Sequence, residues 1–188
     1  MDNDLSDSGR ARMPQVGILA IQGSFAEHAA VCERLGHKPI MVRSVAELAR
    51  VTHLILPGGE STTQQQLLEK FGLWEAILKQ VQHEHLAIFG TCAGAILLSR
   101  LGMSIKVDRN AYGAQQASQI VGLRSEKWPD LKGVFIRAPR FVGVGESVQV
   151  LAQLEAEPVL VQQGRLLAGS FHPELTEDTR IHEYFLSI

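Results

Sequence analysis

Short unbroken apolar runs alternate with amphipathic ones through the first half of the chain. Val16 to Ile21 has strand length and stops at Gln22-Gly23. Helical spacing takes over from Ser24 to Leu35, with Ser24 and Glu27 three apart as in a capping box. Pro39 to Val42, Leu54 to Leu56 and Leu86 to Phe89 read as further strands, each closed by a polar or glycine-rich turn. Between the last two lie helical stretches at Thr62 to Phe71 and Leu73 to Gln82, separated by Gly72. This alternation predicts a parallel sheet with crossover helices.

The second half is richer in strands. Val134 to Ile136, Val148 to Leu151, Val159 to Gln162 and Leu166 to Ser170 precede a closing helix from Glu177 to Leu186. No repeat, low-complexity tract or linker interrupts them. With 188 residues, 45% hydrophobic, the chain is the size of one core, and residues 14–188 are expected to form a single domain. Residues 1–13 are polar, lack a signal-peptide core and are expected to be a disordered leader, with Met13 a second candidate start. No run is long and apolar enough for a membrane span. A net charge of −2 gives none of the basic bias of a nucleic-acid binder, so small neutral or zwitterionic substrates fit better.

Chemistry enters with the cysteines. Cys32 falls in the first helical run and is expected to pack as a small apolar side chain. Cys92 stands in Gly90-Thr91-Cys92-Ala93-Gly94, where a strand runs into an apolar helix, the cysteine form of a nucleophile elbow. Flanking glycines permit a tight turn, and the helix N-terminus favours thiolate. A structural cysteine in a tight turn is the plainer alternative. Reduced thiols and a cytoplasmic location are expected.

A nucleophile needs a base, and the base needs an orienting group. Ser170-Phe171-His172-Pro173-Glu174 supplies both after a predicted strand, and two-residue spacing on an extended segment puts both side chains on one side. Taken singly, His172 reads as an ordinary surface or structural histidine. A third motif, Pro57-Gly58-Gly59-Glu60-Ser61-Thr62-Thr63, again links a strand to a helix. Its glycines let backbone amides converge on an anion or oxyanion, and Ser61 or Thr62 can cap the helix. The lysine of a phosphate loop is missing, and a capped glycine-rich turn is the alternative. His28, His37, His53, His83, His85 and His182 show no metal-ligand spacing, so no metal site is expected. Trp74 and Trp128 are expected to pack.

Together and in this order, Pro-Gly-Gly-Glu-Ser-Thr-Thr, Gly-Thr-Cys-Ala-Gly and Ser-Phe-His-Pro-Glu-Leu resemble the class I (triad) glutamine amidotransferases. Arg109-Asn110-Ala111-Tyr112-Gly113, Val134-Phe135-Ile136-Arg137-Ala138-Pro139 and the segment from Gly17 to Gly23 with Glu27-His28 narrow the resemblance to glutaminase subunits of pyridoxal 5′-phosphate synthases. It spans nearly all of Val16 to Phe185. It implies a three-layer, flavodoxin-like α/β fold with a mostly parallel central sheet, and glutamine hydrolysis by Cys92, His172 and Glu174. It also implies glutamine contacts from Gly59, Glu60, Ser61, Arg109, Ile136 and Arg137, with Gly59 and Ala93 amides assigned to an oxyanion hole. No cofactor is implied. The partner implied is a TIM-barrel synthase subunit in a double ring that receives the ammonia, and the reaction classes implied are hydrolase and lyase.

Two stretches depart from the family pattern. Ser99 to Ile105 makes a shortened connection, and Ala114 to Ile120 replaces a charged and aromatic segment. Arg109 lies between them, so glutamine binding and docking are where this chain would differ. The competing readings are the glutaminase of another triad amidotransferase and a noncatalytic assembly subunit of the same fold.

Overall fold

The structure is a computed structural model that describes residues 13–109 and 119–188. The expected leader, apart from Met13, therefore lies outside the described residues, as do positions 110–113 of the Arg-Asn-Ala-Tyr-Gly motif and 114–118 of the altered segment.

Strands β1 (Val16–Leu19), β2 (Ile40–Val42), β3 (His53–Leu56), β4 (Ala87–Thr91), β5 (Ile105–Asp108), β6 (Gln119–Gly122), β7 (Lys132–Phe135), β8 (Arg140–Val144), β9 (Gln149–Leu154), β10 (Glu157–Gln163) and β11 (Leu166–Gly169) make three sheets. The large one has the order β2-β1-β3-β4-β11-β10-β9. Its first five strands are parallel, and β10 and β9 extend it antiparallel. β5 pairs with β8 and β6 with β7 in two small antiparallel ribbons.

Every residue of β1, β3, β4 and β11 is buried. Such strands read as continuous apolar runs because both sheet faces are covered. Their side chains alternate between two cores. Leu54, Leu56, Ile88 and Ala168 join Leu68, Ile77 and Leu97 on one face, whereas Ile55, Phe89 and Leu167 join Phe171 and Phe185 on the other. Helices α1 (Phe25–Arg34), α2 (Val45–Leu48), α3 (Ser61–Lys70), α4 (Leu73–Gln82), α5 (Ala93–Arg100) and α6 (Arg180–Leu186) cover these faces. The strand order reverses between β1 and β3, and in open α/β sheets ligands gather beyond the carboxyl ends at such a point. The turns after β1, β3, β4 and β11 all open there.

Several expectations needed correction. Ser24 is the N-cap of α1, but its side chain makes no capping bond. A box-like Ser-x-x-Glu cap forms instead at Ser44 and Glu47, where Ser44 Oγ accepts from Glu47 N–H and donates to Glu47 Oε2, which also accepts from the preceding Arg43 N–H. That box starts α2, which is too short to show a period. Strands β5, β6 and β8 were also missed, since their exposed or glycine-broken patterns give no apolar run. The closing helix begins at Arg180, after a 3₁₀ turn at Pro173–Leu175 and an Asp178 carboxylate that accepts from Arg180 N–H.

Candidate active site

Cys92 links β4 to α5 with φ 49° and ψ −104°, a conformation that costs a non-glycine residue about 1–3 kcal/mol. The positive φ belongs to the cysteine itself; its glycine neighbours serve close approach instead. A Cβ on Gly94 would lie 1.9 Å from the Leu56 carbonyl oxygen, and one on Gly90 2.5 Å from the Gly94 backbone. The turn is tied down where Cys92 N–H donates to Gly169 C=O at 2.8 Å. Ala93 opens α5, so its amide belongs to the first turn, which has no intrahelical acceptor.

The neighbouring parallel strand β11 delivers the second motif. Phe171 is fully buried in the core, and His172 N–H donates to Val134 C=O at 2.8 Å. His172 and Glu174 do not share an extended segment as expected; the chain turns at Pro173 into the 3₁₀ element. That turn brings His172 Nδ1 to 2.8 Å from Glu174 Oε1 and leaves the other ring nitrogen for Cys92. Glu174 Oε1 also accepts from Ser24 Oγ at 2.9 Å, which is where the hydroxyl expected to cap α1 goes.

Burial opposes charge on His172. The hydrogen bonds to Cys92 and Glu174, and the charges of both, outweigh it and push the His172 pKa up to about 10. Burial likewise opposes a charged Glu174, yet His28, the His172 hydrogen bond and charge, and a backbone N–H bring its pKa down to about 2. Thiol, imidazole and carboxylate thus stand in series, with an imidazole that holds a proton tightly. Cys92 and His172 each keep 8% exposure, so a small substrate can reach them.

The loop after β3 forms the facing wall. Gly58 lies against the His172 ring: a Cβ there would sit 2.5 Å from His172 Cε1. Gly58 N–H donates to Thr91 Oγ1 at 3.1 Å and its carbonyl accepts from Ser24 N–H at 3.0 Å. Gly59 packs so closely on Gln22 that a Cβ would meet Gln22 Oε1 at 2.4 Å. Gln22 Oε1 also accepts from Glu60 N–H, and Gln64 Nε2 donates to the carbonyls of Gln22 and Pro57.

Glu60, rather than Ser61 or Thr62, caps α3, accepting from Thr63 N–H. The Arg109 guanidinium donates to the hydroxyls of Ser61 and Thr62 and so sits beside the Gly59–Ser61 loop. Ile136 and Arg137 follow β7, two and three residues past Val134. Ile136 is half-buried, and Arg137 is exposed with φ 43°.

Sequence reasoning passed over the residues behind this site. His28, Thr91 and His182 are wholly buried against Glu174 and the Gly58 loop. A histidine repeating with the apolar face of α1 was the available signal. Cys32 packs as expected, its thiol pushed up to about 12 chiefly by burial, and both cysteines are free. Among the described residues, no His, Cys, Asp and Glu group could hold a metal ion, and no helix is long and apolar enough to cross a membrane.

Comparison with known proteins places this geometry. Residues 18–188 match the model of the SNO glutamine amidotransferase family. A Thermus thermophilus protein named pyridoxal 5′-phosphate synthase subunit PdxT is 50% identical over 184 residues, covering 92% of this chain and 96% of its own. A protein of the same name from Kosmotoga olearia is 46% identical over 185 residues, with 92% and 96% covered. A crystal structure of a glutamine amidotransferase, 48% identical, superposes with a TM-score of 0.87 over 92% of this chain and 97% of that one. The PurLQS structure from Thermotoga maritima shares the fold at 18% identity, with a TM-score of 0.72 over 93% and 98%. The lyase expectation is thereby corrected: a glutamine amidotransferase cleaves an amide with water and performs no elimination of its own. A match over nearly the whole length, joined to close relatives of the same kind, means that the chain belongs to the SNO glutamine amidotransferase family.

Proposed function

We propose that this chain hydrolyses L-glutamine to glutamate and ammonia at Cys92 and passes the ammonia to a pyridoxal 5′-phosphate synthase subunit. The single observation that carries the reading is His172, 2.8 Å from Glu174 on one side and facing Gly58 together with Cys92 on the other, where a Gly58 Cβ would lie 2.5 Å from His172 Cε1 and 3.5 Å from Cys92 Cβ. Cys92 Sγ, its proton already held on His172, attacks the side-chain amide carbon. Amides of Gly59 and Ala93 hold the developing oxyanion, and His172 returns the proton to the departing ammonia. Water, deprotonated by His172, then opens the thioester and frees glutamate and the thiol. Glu174 keeps the ring in the tautomer that faces Cys92. The substrate α-carboxylate pairs with Arg109 beside Ser61, its α-ammonium lies by Glu60, and Ile136 and Arg137 close the other side.

The partner belongs to the proposal because relatives at 50% and 46% identity are named as subunits of a pyridoxal 5′-phosphate synthase. The resemblance implies that it is a TIM barrel in a double ring, and an enclosed path to it would keep ammonia from protonation and loss. Two free cysteines suit a reducing, cytoplasmic location, and residues 14–188 act as one amidotransferase domain. The test is to mix the chain with a pyridoxal 5′-phosphate synthase subunit and follow complex formation, glutamate release and glutamine-dependent cofactor synthesis. All three are expected. Glutaminase activity without complex or synthesis would point to a different ammonia acceptor.

A further inference from the structure

On the side of Glu174 away from its bond to His172 lies a buried cluster that the proposed chemistry does not use. His28 of α1, Thr91 at the end of β4 and His182 of α6 are each 0% exposed, and both imidazoles meet Phe89 edge-on. His28 Nδ1 is 2.9 Å from His182 Nε2. His28 Nε2 is 3.1 Å from Thr91 Oγ1 and 3.5 Å from Glu174 Oε2. Thr91 Oγ1 accepts the Gly58 N–H as well, so one imidazole touches both the carboxylate and the anchor of the glycine loop.

Among the described residues, two buried atoms here have no hydrogen-bond partner, Glu174 Oε2 and His182 Nδ1. They decide how the protons are arranged. Burial, as the largest cause, lowers the pKa of both His28 and His182, so above pH 6.5 both rings are neutral, and across their N···N contact one must donate and the other accept. Suppose His28 donated from Nδ1. His182 would then carry its proton on Nδ1, a buried N–H with nothing to receive it, and the His28 Nε2 lone pair would face a carboxylate oxygen. An unmet buried donor alone costs about 1–3 kcal/mol. In the reverse arrangement His182 Nε2–H donates to His28 Nδ1. Only a lone pair is then left unmet on His182, and His28 Nε2–H donates to Thr91 Oγ1 at 3.1 Å while its positive edge stands 3.5 Å from Glu174 Oε2.

We propose that His28 is a positioning residue: with its tautomer set by His182, it presents an N–H that fixes the Glu174 carboxylate and, through Thr91, the Gly58 loop. This rests on reading Cys92, His172 and Glu174 as the triad. His28 touches neither substrate nor thiol. It acts by keeping His172 in line with Cys92 and the loop amides in place.

Two experiments test it. Histidine ¹⁵N NMR on the full wild-type chain should find His28 and His182 both neutral and both protonated at Nε2. A proton on His28 Nδ1 overturns the proposal, and this measurement needs no variant to fold. In glutaminase assays with the synthase partner, His28→Leu should lower kcat by up to about a hundredfold with KM for glutamine within about twofold. His28→Gln, whose amide N–H can take the place of the ring Nε2–H, should recover most of the loss. Equal loss in both variants, or a rise in KM without a fall in kcat, overturns the positioning role. Full activity in His28→Leu overturns it while leaving the triad intact, whereas full activity in Cys92→Ala would refute the triad reading itself.

Discussion

At the scale of single residues, the site depends on close approach. Gly58→Ala would set a methyl group 2.5 Å from His172 Cε1, and the ring must move away from Cys92 to accept it. Its kcat is expected to fall about a hundredfold, with a stability loss of about 1–3 kcal/mol. Steady-state kinetics beside urea denaturation checks both, and an active Gly58→Ala enzyme would mean that the ring stands elsewhere. A second prediction concerns charge. Glu174, lowered from 4.5 to about 2, contributes stability that is full above pH 4.5 and is lost as pH falls through about 2. His172, raised from 6.5 to about 10, contributes stability that is full below pH 6.5 and is lost as pH rises through about 10. The stability gap between wild type and Glu174→Gln should therefore be widest between pH 4.5 and 6.5 and narrow on either side. Unfolding free energies measured from pH 3 to about 10 test this, and a gap independent of pH contradicts it.

At the scale of elements, the β4–α5 junction shows how a turn is specified by what it must avoid. Gly94→Ala would drive a Cβ to 1.9 Å from Leu56 C=O, forcing α5 off the sheet. It is expected to destabilise the protein by about 3 kcal/mol and to abolish activity with it, which thermal denaturation and the glutaminase assay would show together. The elbow was legible because Gly-x-Cys-x-Gly after an apolar strand is a local pattern. The β1, β3, β4 and β11 runs were legible for a similar reason, being apolar on both faces. Elements whose partners are distant in sequence were harder to see. β6 is largely exposed and exists by pairing with β7, and the 3₁₀ turn at Pro173 replaces the extended segment that two-residue spacing suggested. Ser24 was misread because a capping box is judged from residues three apart, whereas its hydroxyl goes to Glu174, 150 positions on.

At the scale of the molecule, the parallel sheet brings together four turns from along the chain. Cys92 ends one central strand and His172 follows its neighbour, paired in a register that sets Thr91 beside Gly169. Phe89 lies beneath them, wholly buried among Phe185, His28 and His182. Phe89→Ala should cost about 3–5 kcal/mol in urea denaturation. The candidate triad could be picked out in the sequence because its members lie in recognisable motifs, whereas the cluster around His28 depends on packing between α1, β4 and α6. The central claim is that Cys92 is the nucleophile of a glutaminase, and glutamate release measured with the synthase partner tests it most directly. Wild type should release glutamate and Cys92→Ala, folded and still bound to the partner, should lose at least about a thousandfold; glutamate release by that variant at the wild-type rate would contradict the account.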